Sequence, residues 1–241
     1  MWTPTELASE ASPAEGTVWR VVEHQYTTST HKIVDSQAEQ DALELILEEN
    51  KPPNAANTER LHYLLKTPFR YQPPPVVGSR FRRAHASDGV FYGSETLRTA
   101  LAELSYYRLK FFSESPNTPV PRAGELLTAF TAAYTTPLRL DLTTPPLNRS
   151  RKRWTHPTDY SATQALADDA REAAIEVIRY ESVHDKLRGF NLAMLTPRVF
   201  TGTEPVTQQS WILYLTKVEV SCVRATDKSE MWAFPRNHFR L

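Results

Sequence analysis

Cysteine is scarce in this sequence and long apolar runs are missing. Both features bear on the cellular location of the protein. The 241 residues include one cysteine, Cys222, which cannot form a disulfide within the chain. A reducing, cytoplasmic location is therefore favoured. No stretch approaches 18 consecutive apolar residues, and the first residues lack the basic and apolar segments of a signal peptide. We expect a cytoplasmic protein that makes no membrane contact.

The sequence also lacks a charge excess and the common nucleotide and metal motifs. Lysine and arginine number 28, as do aspartate and glutamate, and the isoelectric point is near 7.1. A dedicated nucleic-acid binder usually has a basic excess, so no direct nucleic-acid contact is expected. There is no Gly-x-Gly-x-x-Gly, Walker or Gly-x-Ser-x-Gly motif, which argues against a Rossmann site, a P-loop and a hydrolase triad. The seven histidines have no zinc-type spacing, so no metal site is expected.

Short helices and strands are interspersed along the chain without a regular alternation of long strands and long helices. Apolar and β-branched runs predict strands at 17–26, 90–92, 175–183, 190–196 and 211–225, with two more inside 125–142. Helical periodicity predicts helices at 35–53, 57–68, 97–112 and 161–174. The pattern indicates a single α+β domain spanning 1–241, with mixed, mostly antiparallel sheets and flanking helices.

Several local signals refine these elements. Ser36 and Glu39 have capping-box spacing, and Ser161 is placed to cap the fourth helix. Pro68 is expected to end the second helix, and the prolines at 73–75 exclude a helix there. Residues 148–160 form a basic stretch, predicted to be a loop, with Trp154 inside it.

Residues 89–112 combine a short strand, a turn and a strong helix. The helix has an apolar stripe that includes Leu97, Leu101 and Leu104, and Glu103 lies about 100–120° away from that stripe. The commonest interpretation of such a glutamate is a solvated side chain on an amphipathic helix. Tyr92, at the strand exit, is by itself more typical of a packed strand tyrosine than of a binding platform.

Three further features favour a functional interpretation. Residues 78–83 place three arginines beside a glycine, and arginine forks suit phosphates. Ser182 stands at the end of a predicted strand, and Asn191 follows it closely. Each feature alone has an ordinary structural explanation, as a solvated basic loop or a structural serine.

Taken together, the order Arg, Tyr, Glu, Ser resembles the RES-domain toxins of bacterial toxin–antitoxin pairs. The matching elements are Gly78-Ser79-Arg80-Phe81, Val90-Phe91-Tyr92, Thr99-Ala100-Leu101-Ala102-Glu103, Tyr180-Glu181-Ser182-Val183 and the opening Trp19-Arg20-Val21. The resemblance covers roughly 18–200. The chain departs from it at Phe81 and Arg82, where many members have Trp and Asn, and in a helical N-terminal extension at about 27–75.

The resemblance implies a fold similar to ADP-ribosyltransferases and an enzyme that consumes NAD. NAD would be a substrate, not a cofactor, and the nicotinamide–ribose bond would be cleaved by phosphorolysis, with inorganic phosphate as co-substrate, or by hydrolysis. A cognate antitoxin, a small helix-turn-helix protein, is the implied partner. The implied roles are a charge-stabilising carboxylate for Glu103, an anion clamp for Arg80, a nicotinamide platform for Tyr92 and an orienting group for Ser182. Arg20, Arg82 and Asn191 are weaker candidates for lining the pocket.

Other functions stay open at the level of sequence. The same site could transfer ADP-ribose to a protein. A non-enzymatic module could use Arg80, Arg82, Arg83 and the basic stretch 148–156 to hold RNA or a phosphorylated partner, with Trp154 stacking on a base. A third alternative is an inactive relative that only pairs with an antitoxin. The oligomeric state stays open, and a homodimer is plausible on base rates alone.

Overall fold

The computed structural model describes residues 2–24, 36–71, 78–115, 117–121, 123–216 and 218–239. The predicted end of the first strand at 25–26 and the proline run at 73–75 lie outside these residues. The helices are α1 Pro4–Glu10, α2 Gln37–Glu49, α3 Tyr63–Arg70, α4 Leu97–Glu114, α5 Arg151–Trp154 and α6 Ser161–Glu172. The strands are β1 Ser12–Glu23, β2 Phe91–Ser94, β3 Glu125–Asp141, β4 Val177–Glu181, β5 Phe190–Met194, β6 Thr207–Leu215, β7 Glu219–Arg224 and β8 Met231–Pro235.

The eight described strands form one sheet in the order β1-β2-β5-β4-β3-β6-β7-β8. A further pairing of β1 with β3 closes β1, β2, β5, β4 and β3 into a five-stranded ring. Of these pairings β3–β4 is parallel and the others are antiparallel. The predicted α+β class with a mixed, mostly antiparallel sheet is therefore confirmed, whereas the likeness to the ADP-ribosyltransferase fold stays a prediction.

Three apolar clusters hold the helices to this sheet. The first cluster contains side chains from all five strands of the ring, including Phe91 and Phe130. It also contains Leu65 and Phe69, so α3 packs against the strands of the ring. The second packs α6 and α1 against β4 and β5, and the third packs α4 against β3, β6, β7 and β8. Burial of these side chains supplies most of the driving force for the fold.

Strand β3 is continuous from Glu125 to Asp141, although two separate strands were predicted there. Pro137 lies inside this strand, although proline cannot donate to a sheet ladder. In the structure Ser12 pairs with Arg139 and Ala14 pairs with Thr136, so β3 has one extra residue here and Pro137 lies within a β-bulge.

Other boundary predictions were wrong for local reasons. Helix α3 runs past Pro68 to Arg70, because a proline this near the end of a helix removes only one backbone hydrogen bond. Ser161 is the first residue of α6 and not its cap, and its N–H bonds to Asp159 Oδ1 at 2.9 Å. The predicted basic loop contains a 3₁₀ turn and α5. The run 211–225 divides into β6 and β7, and α1 and β8 were not predicted.

No helix among the described residues combines the length and the apolar character needed to cross a membrane.

Candidate active site around Glu103

Helix α4 carries Glu103 to the sheet side of the molecule. Thr96 caps the helix, accepting a hydrogen bond from the Thr99 N–H at 3.2 Å. The first turn is then fixed to the 182–189 segment, since Thr99 Oγ1 donates to Asp185 Oδ2 at 2.9 Å and Arg98 forms an ion pair with the same carboxylate. Gly189 allows this approach, because a Cβ there would lie 2.1 Å from Thr99 Oγ1.

The Glu103 carboxylate is held by two donors on one oxygen. Ser182 Oγ donates to Glu103 Oε1 at 2.6 Å, and Asn191 Nδ2 donates to the same atom at 2.8 Å. The side chain is 22% exposed. The interpretation of Glu103 as a solvated glutamate is therefore wrong. The second oxygen, Oε2, lies 3.9 Å from His184 Nε2 and makes no hydrogen bond within the described residues.

Both donors are themselves fixed. Ser182 Oγ accepts from the N–H groups of His184 at 3.3 Å and Asp185 at 3.0 Å, so its hydrogen is directed to Glu103. Asn191 lies opposite Ser94 on β2, and Ser94 Oγ donates to Asn191 Oδ1 at 2.6 Å. That bond leaves the Asn191 amide nitrogen free to donate to Glu103.

The surroundings oppose charge on Glu103 and on His184. Burial raises the pKa of Glu103 above its ordinary value, against the hydrogen bonds from Ser182 and Asn191 and the charge of Arg80, which lower it. Burial, together with the charges of Arg80 and Lys110, lowers the pKa of His184 to about 3. The neutral imidazole of His184 stacks on Tyr106, with ring centroids 3.5 Å apart.

Arg80 lies near this site, but its guanidinium is already bound. It is 8% exposed and donates to the carbonyl oxygens of Trp154 at 2.9 Å and His156 at 3.0 Å. Its guanidinium carbon also lies 4.8 Å from the centre of the Tyr160 ring. Arg80 thus ties α5 to the 78–83 segment and supplies positive potential to Glu103.

Tyr92 is anchored by its hydroxyl group. Its oxygen lies 2.8 Å from Ser79 Oγ and accepts from the Phe81 N–H at 3.0 Å. Burial raises the pKa of Tyr92, so the phenol is neutral at physiological pH. In the part of the chain that the structure describes, no hydrogen bond joins Tyr92 to Glu103.

The structure places Arg20 and Arg82 beside a different cavity, described below. It thus brings Glu103, Ser182 and Asn191 into direct contact, sets Arg80 close enough to act by charge, and places Tyr92 in the lining of that cavity.

Trp154 is buried at 4% exposure and donates from Nε1 to the Leu147 carbonyl at 2.8 Å. The alternative in which Trp154 stacks on a nucleic-acid base is therefore wrong.

Sequence reasoning missed His184, Tyr106 and Ser94. Tyr106 follows Glu103 by three positions on the same helix, and Ser94 follows Tyr92 by two on the same strand, so periodicity could have found both. His184 had no such signal, because its position depends on how the 182–189 segment folds back.

Comparison with known proteins gives a family assignment. A model of the RES domain matches residues 53–216, which is more than half of the chain. The chain therefore belongs to the RES domain family, as the motifs indicated. No curated protein sequence matches the chain. Among solved structures, a chain of the crystal structure of the M. tuberculosis MbcT–MbcA toxin–antitoxin complex is similar, with 13% identity and a TM-score of 0.49, over 86% of this chain and 91% of that chain.

Proposed function

We propose that this protein cleaves the nicotinamide–ribose bond of NAD and acts as the toxin of a toxin–antitoxin pair. The observation that carries the proposal is the Glu103 carboxylate, which two donors hold by one oxygen and which presents the other beside the neutral His184. Membership of the RES domain family supports the same reaction class.

The chemistry needs one fixed negative charge. When the bond breaks, both electrons go to the ring nitrogen, so nicotinamide leaves neutral and positive charge develops on the ribose, as in glycoside cleavage. A carboxylate held in a site of low polarity stabilises that charge more than water would. Ser182 and Asn191 orient Glu103, and their hydrogen bonds lower its pKa against the burial that raises it. No general acid is required, because the leaving group needs no proton.

The second step sets the product. Inorganic phosphate would bond to the ribose carbon and give ADP-ribose 1″-phosphate. Water would give ADP-ribose, and its proton would pass to Glu103. A protein side chain as acceptor would make the same site an ADP-ribosyltransferase.

Mass spectrometry of the products tests the proposal. Purified protein is incubated with NAD, with and without inorganic phosphate. We expect nicotinamide release that Glu103→Gln reduces by about a hundredfold or more, the usual scale for loss of a charge-stabilising group. Glu172→Gln, at an exposed position on α6, is the matched control and should retain full activity.

The products identify the acceptor. ADP-ribose 1″-phosphate that forms only with phosphate means phosphorolysis, and free ADP-ribose means hydrolysis. Nicotinamide release that depends on added protein, with a mass gain on that protein, favours the transferase. Folded protein that releases no nicotinamide under any of these conditions contradicts the proposal.

The antitoxin is the partner this function requires, because an uncontrolled NAD-degrading enzyme would arrest the cell that makes it. Expression of the chain alone should stop growth. The Glu103→Gln variant should not, and neither should co-expression with a helix-turn-helix protein encoded beside it. Growth arrest by a folded Glu103→Gln variant would rule out this mechanism.

A further inference from the structure

A second cavity lies beside the Glu103 site, between α3 and the ends of β1 and β2. Its volume is about 310 Å³, at the lower end of the range for small-molecule sites. Arg20, Val22, Thr67, Tyr71, Arg82 and Tyr92 are among its lining residues, and Glu103 is not. We call it the α3 cleft.

The α3 cleft exists because β1 and β2 diverge. Their pairing is limited to Trp19 opposite Ser94. Beyond this pair the side chain of Arg20 spans the gap, with Nη1 donating to the Tyr92 carbonyl at 2.7 Å. The guanidinium carbon lies 5.0 Å from the centre of the Phe91 ring, which supports its flat face.

Arg20 brings an unbalanced positive charge to this cleft. In the described ranges it makes one hydrogen bond and no ion pair, and its buried Nε has no partner. Burial lowers the pKa of Arg20 to about 10, so it remains a cation at neutral pH. A half-buried cation without a counter-charge has a desolvation cost, and an anionic ligand would reduce that cost.

Arg82 adds a second cation on the opposite wall. It is 7% exposed and donates to the carbonyl oxygens of Tyr71 at 2.6 Å, Ala86 at 3.0 Å and Ser87 at 3.3 Å. Its Nε is also buried without a partner. Among the described residues no carboxylate forms an ion pair with Arg82, although the charge of Asp88 acts on it from further away.

Arg80 does not line the α3 cleft, and its Nη1 is bound to two carbonyl oxygens elsewhere. We propose that the α3 cleft, and not Arg80, binds the phosphate-bearing part of the substrate, with Arg20 as its principal ligand. The cleft is too small for a whole dinucleotide, so the anion is a phosphate group carried by the nucleotide or free inorganic phosphate. The identity of this anion rests on the proposed function, whereas the binding site does not.

Isothermal titration calorimetry in phosphate-free buffer tests the site. The two probes are ADP and inorganic phosphate, neither of which contains nicotinamide. Arg20→Gln removes the charge. Thr67→Phe keeps both arginines and fills the cleft from α3. Arg83→Gln is the control, because Arg83 lies close in sequence but is half exposed and pairs with Asp168.

We expect both cleft variants to lose about tenfold to a hundredfold in affinity for at least one probe, the scale of one or two charge-assisted hydrogen bonds. The control should change by less than about twofold. Loss for ADP alone assigns the cleft to the nucleotide, and loss for inorganic phosphate assigns it to the free anion.

The proposal is overturned if neither probe binds the wild-type protein. It is also overturned if both variants, folded by circular dichroism, bind ADP and phosphate as the wild type does. Neither probe contains the nicotinamide–ribose bond. Loss of anion binding by the cleft can therefore be distinguished from a lack of nicotinamide release.

Discussion

At the scale of single residues, the proposed reaction depends on how one carboxylate, that of Glu103, is oriented. A glutamate on an exposed helix face would rotate freely. In Glu103, Ser182 and Asn191 hold one of the two carboxylate oxygens. The other oxygen is therefore presented in a fixed direction, which is what charge stabilisation in a transition state requires.

Ser182→Ala tests this positioning role. The variant leaves Glu103 with one donor, so its pKa should rise further and a smaller fraction should be anionic. We expect kcat to fall about tenfold near neutral pH. The acidic limb of the pH–rate profile should also move to higher pH, a shift that a purely structural role would not produce. Ser221→Ala on β7 is the control, and an unchanged pH profile in Ser182→Ala would contradict the role.

His184 makes stability depend on pH. Its pKa is about 3 in the folded protein and near 6.5 when unfolded. As pH falls below 6.5 the unfolded chain binds a proton that the folded protein excludes, so stability is progressively lost down to about pH 3. At pH 5 this loss is about 2 kcal/mol.

Urea unfolding of the wild type and His184→Phe at pH 7 and pH 5 measures this loss. Phenylalanine keeps the ring beside Tyr106 and removes the titrating group. The stability difference between the two pH values should be about 2 kcal/mol smaller in His184→Phe than in the wild type. His85→Asn, at an exposed position, should behave as the wild type does. Equal pH dependence in all three proteins would contradict the prediction.

At the scale of elements, most helices and strands could be predicted from periodicity, and the failures have physical causes. Pro68 is tolerated because it lies near the end of α3, and Pro137 is tolerated because it lies within a β-bulge, where the ladder is already interrupted. The apolar stripe of α4 indicated one buried face, but Ala102, Ser105 and Tyr106 are buried as well. The helix contacts both the sheet and the 182–189 segment, which no single stripe can indicate.

Gly89 sets how closely α3 approaches β2. A Cβ at this position would lie 2.2 Å from the Phe69 Cα and 2.8 Å from the Pro68 carbonyl oxygen, both backbone atoms that cannot move independently. Gly89→Ala should therefore push α3 out of the ring and lower the free energy of unfolding by about 1–3 kcal/mol.

The matched control is Gly202→Ala, whose Cβ would meet its nearest atom at 3.8 Å. It should leave the unfolding free energy within about 0.5 kcal/mol of the wild type. Chemical denaturation of the two variants measures the difference. Equal stability of both would show that α3 is not seated against Gly89.

At the scale of the whole molecule, sequence order could suggest candidate site residues, but it could not give their arrangement. The motif order identified Arg80, Tyr92, Glu103 and Ser182. It did not indicate that Arg80 binds carbonyl oxygens or that Arg20 spans a gap between strands, because both depend on closure of the ring. The closure pairs β1 with β3 across more than a hundred residues, and local patterns carry no information about it.

Amide hydrogen exchange should be slower in the strands of the ring than in helix α2. Amides of β3 that face both β1 and β6, at 127–131, should exchange only on global unfolding. Helix α2 exposes Leu45, Ile46 and Leu47, so little burial holds it, and its amides should exchange through local opening at least about a hundredfold faster. Mass spectrometry of exchanged peptides measures both. Equal protection of α2 and β3 would contradict this division.

The late position of Ser182 and Asn191 in the chain has a consequence for biosynthesis. A ribosome that has added Arg80, Tyr92 and Glu103 has made a carboxylate with neither of its donors, and β1 has no β3 to pair with until residues beyond 125 emerge. Every nascent chain shorter than 191 residues therefore lacks an assembled site. Translation would therefore delay any activity that depends on the Glu103–Asn191 contact until residue 191 has been added.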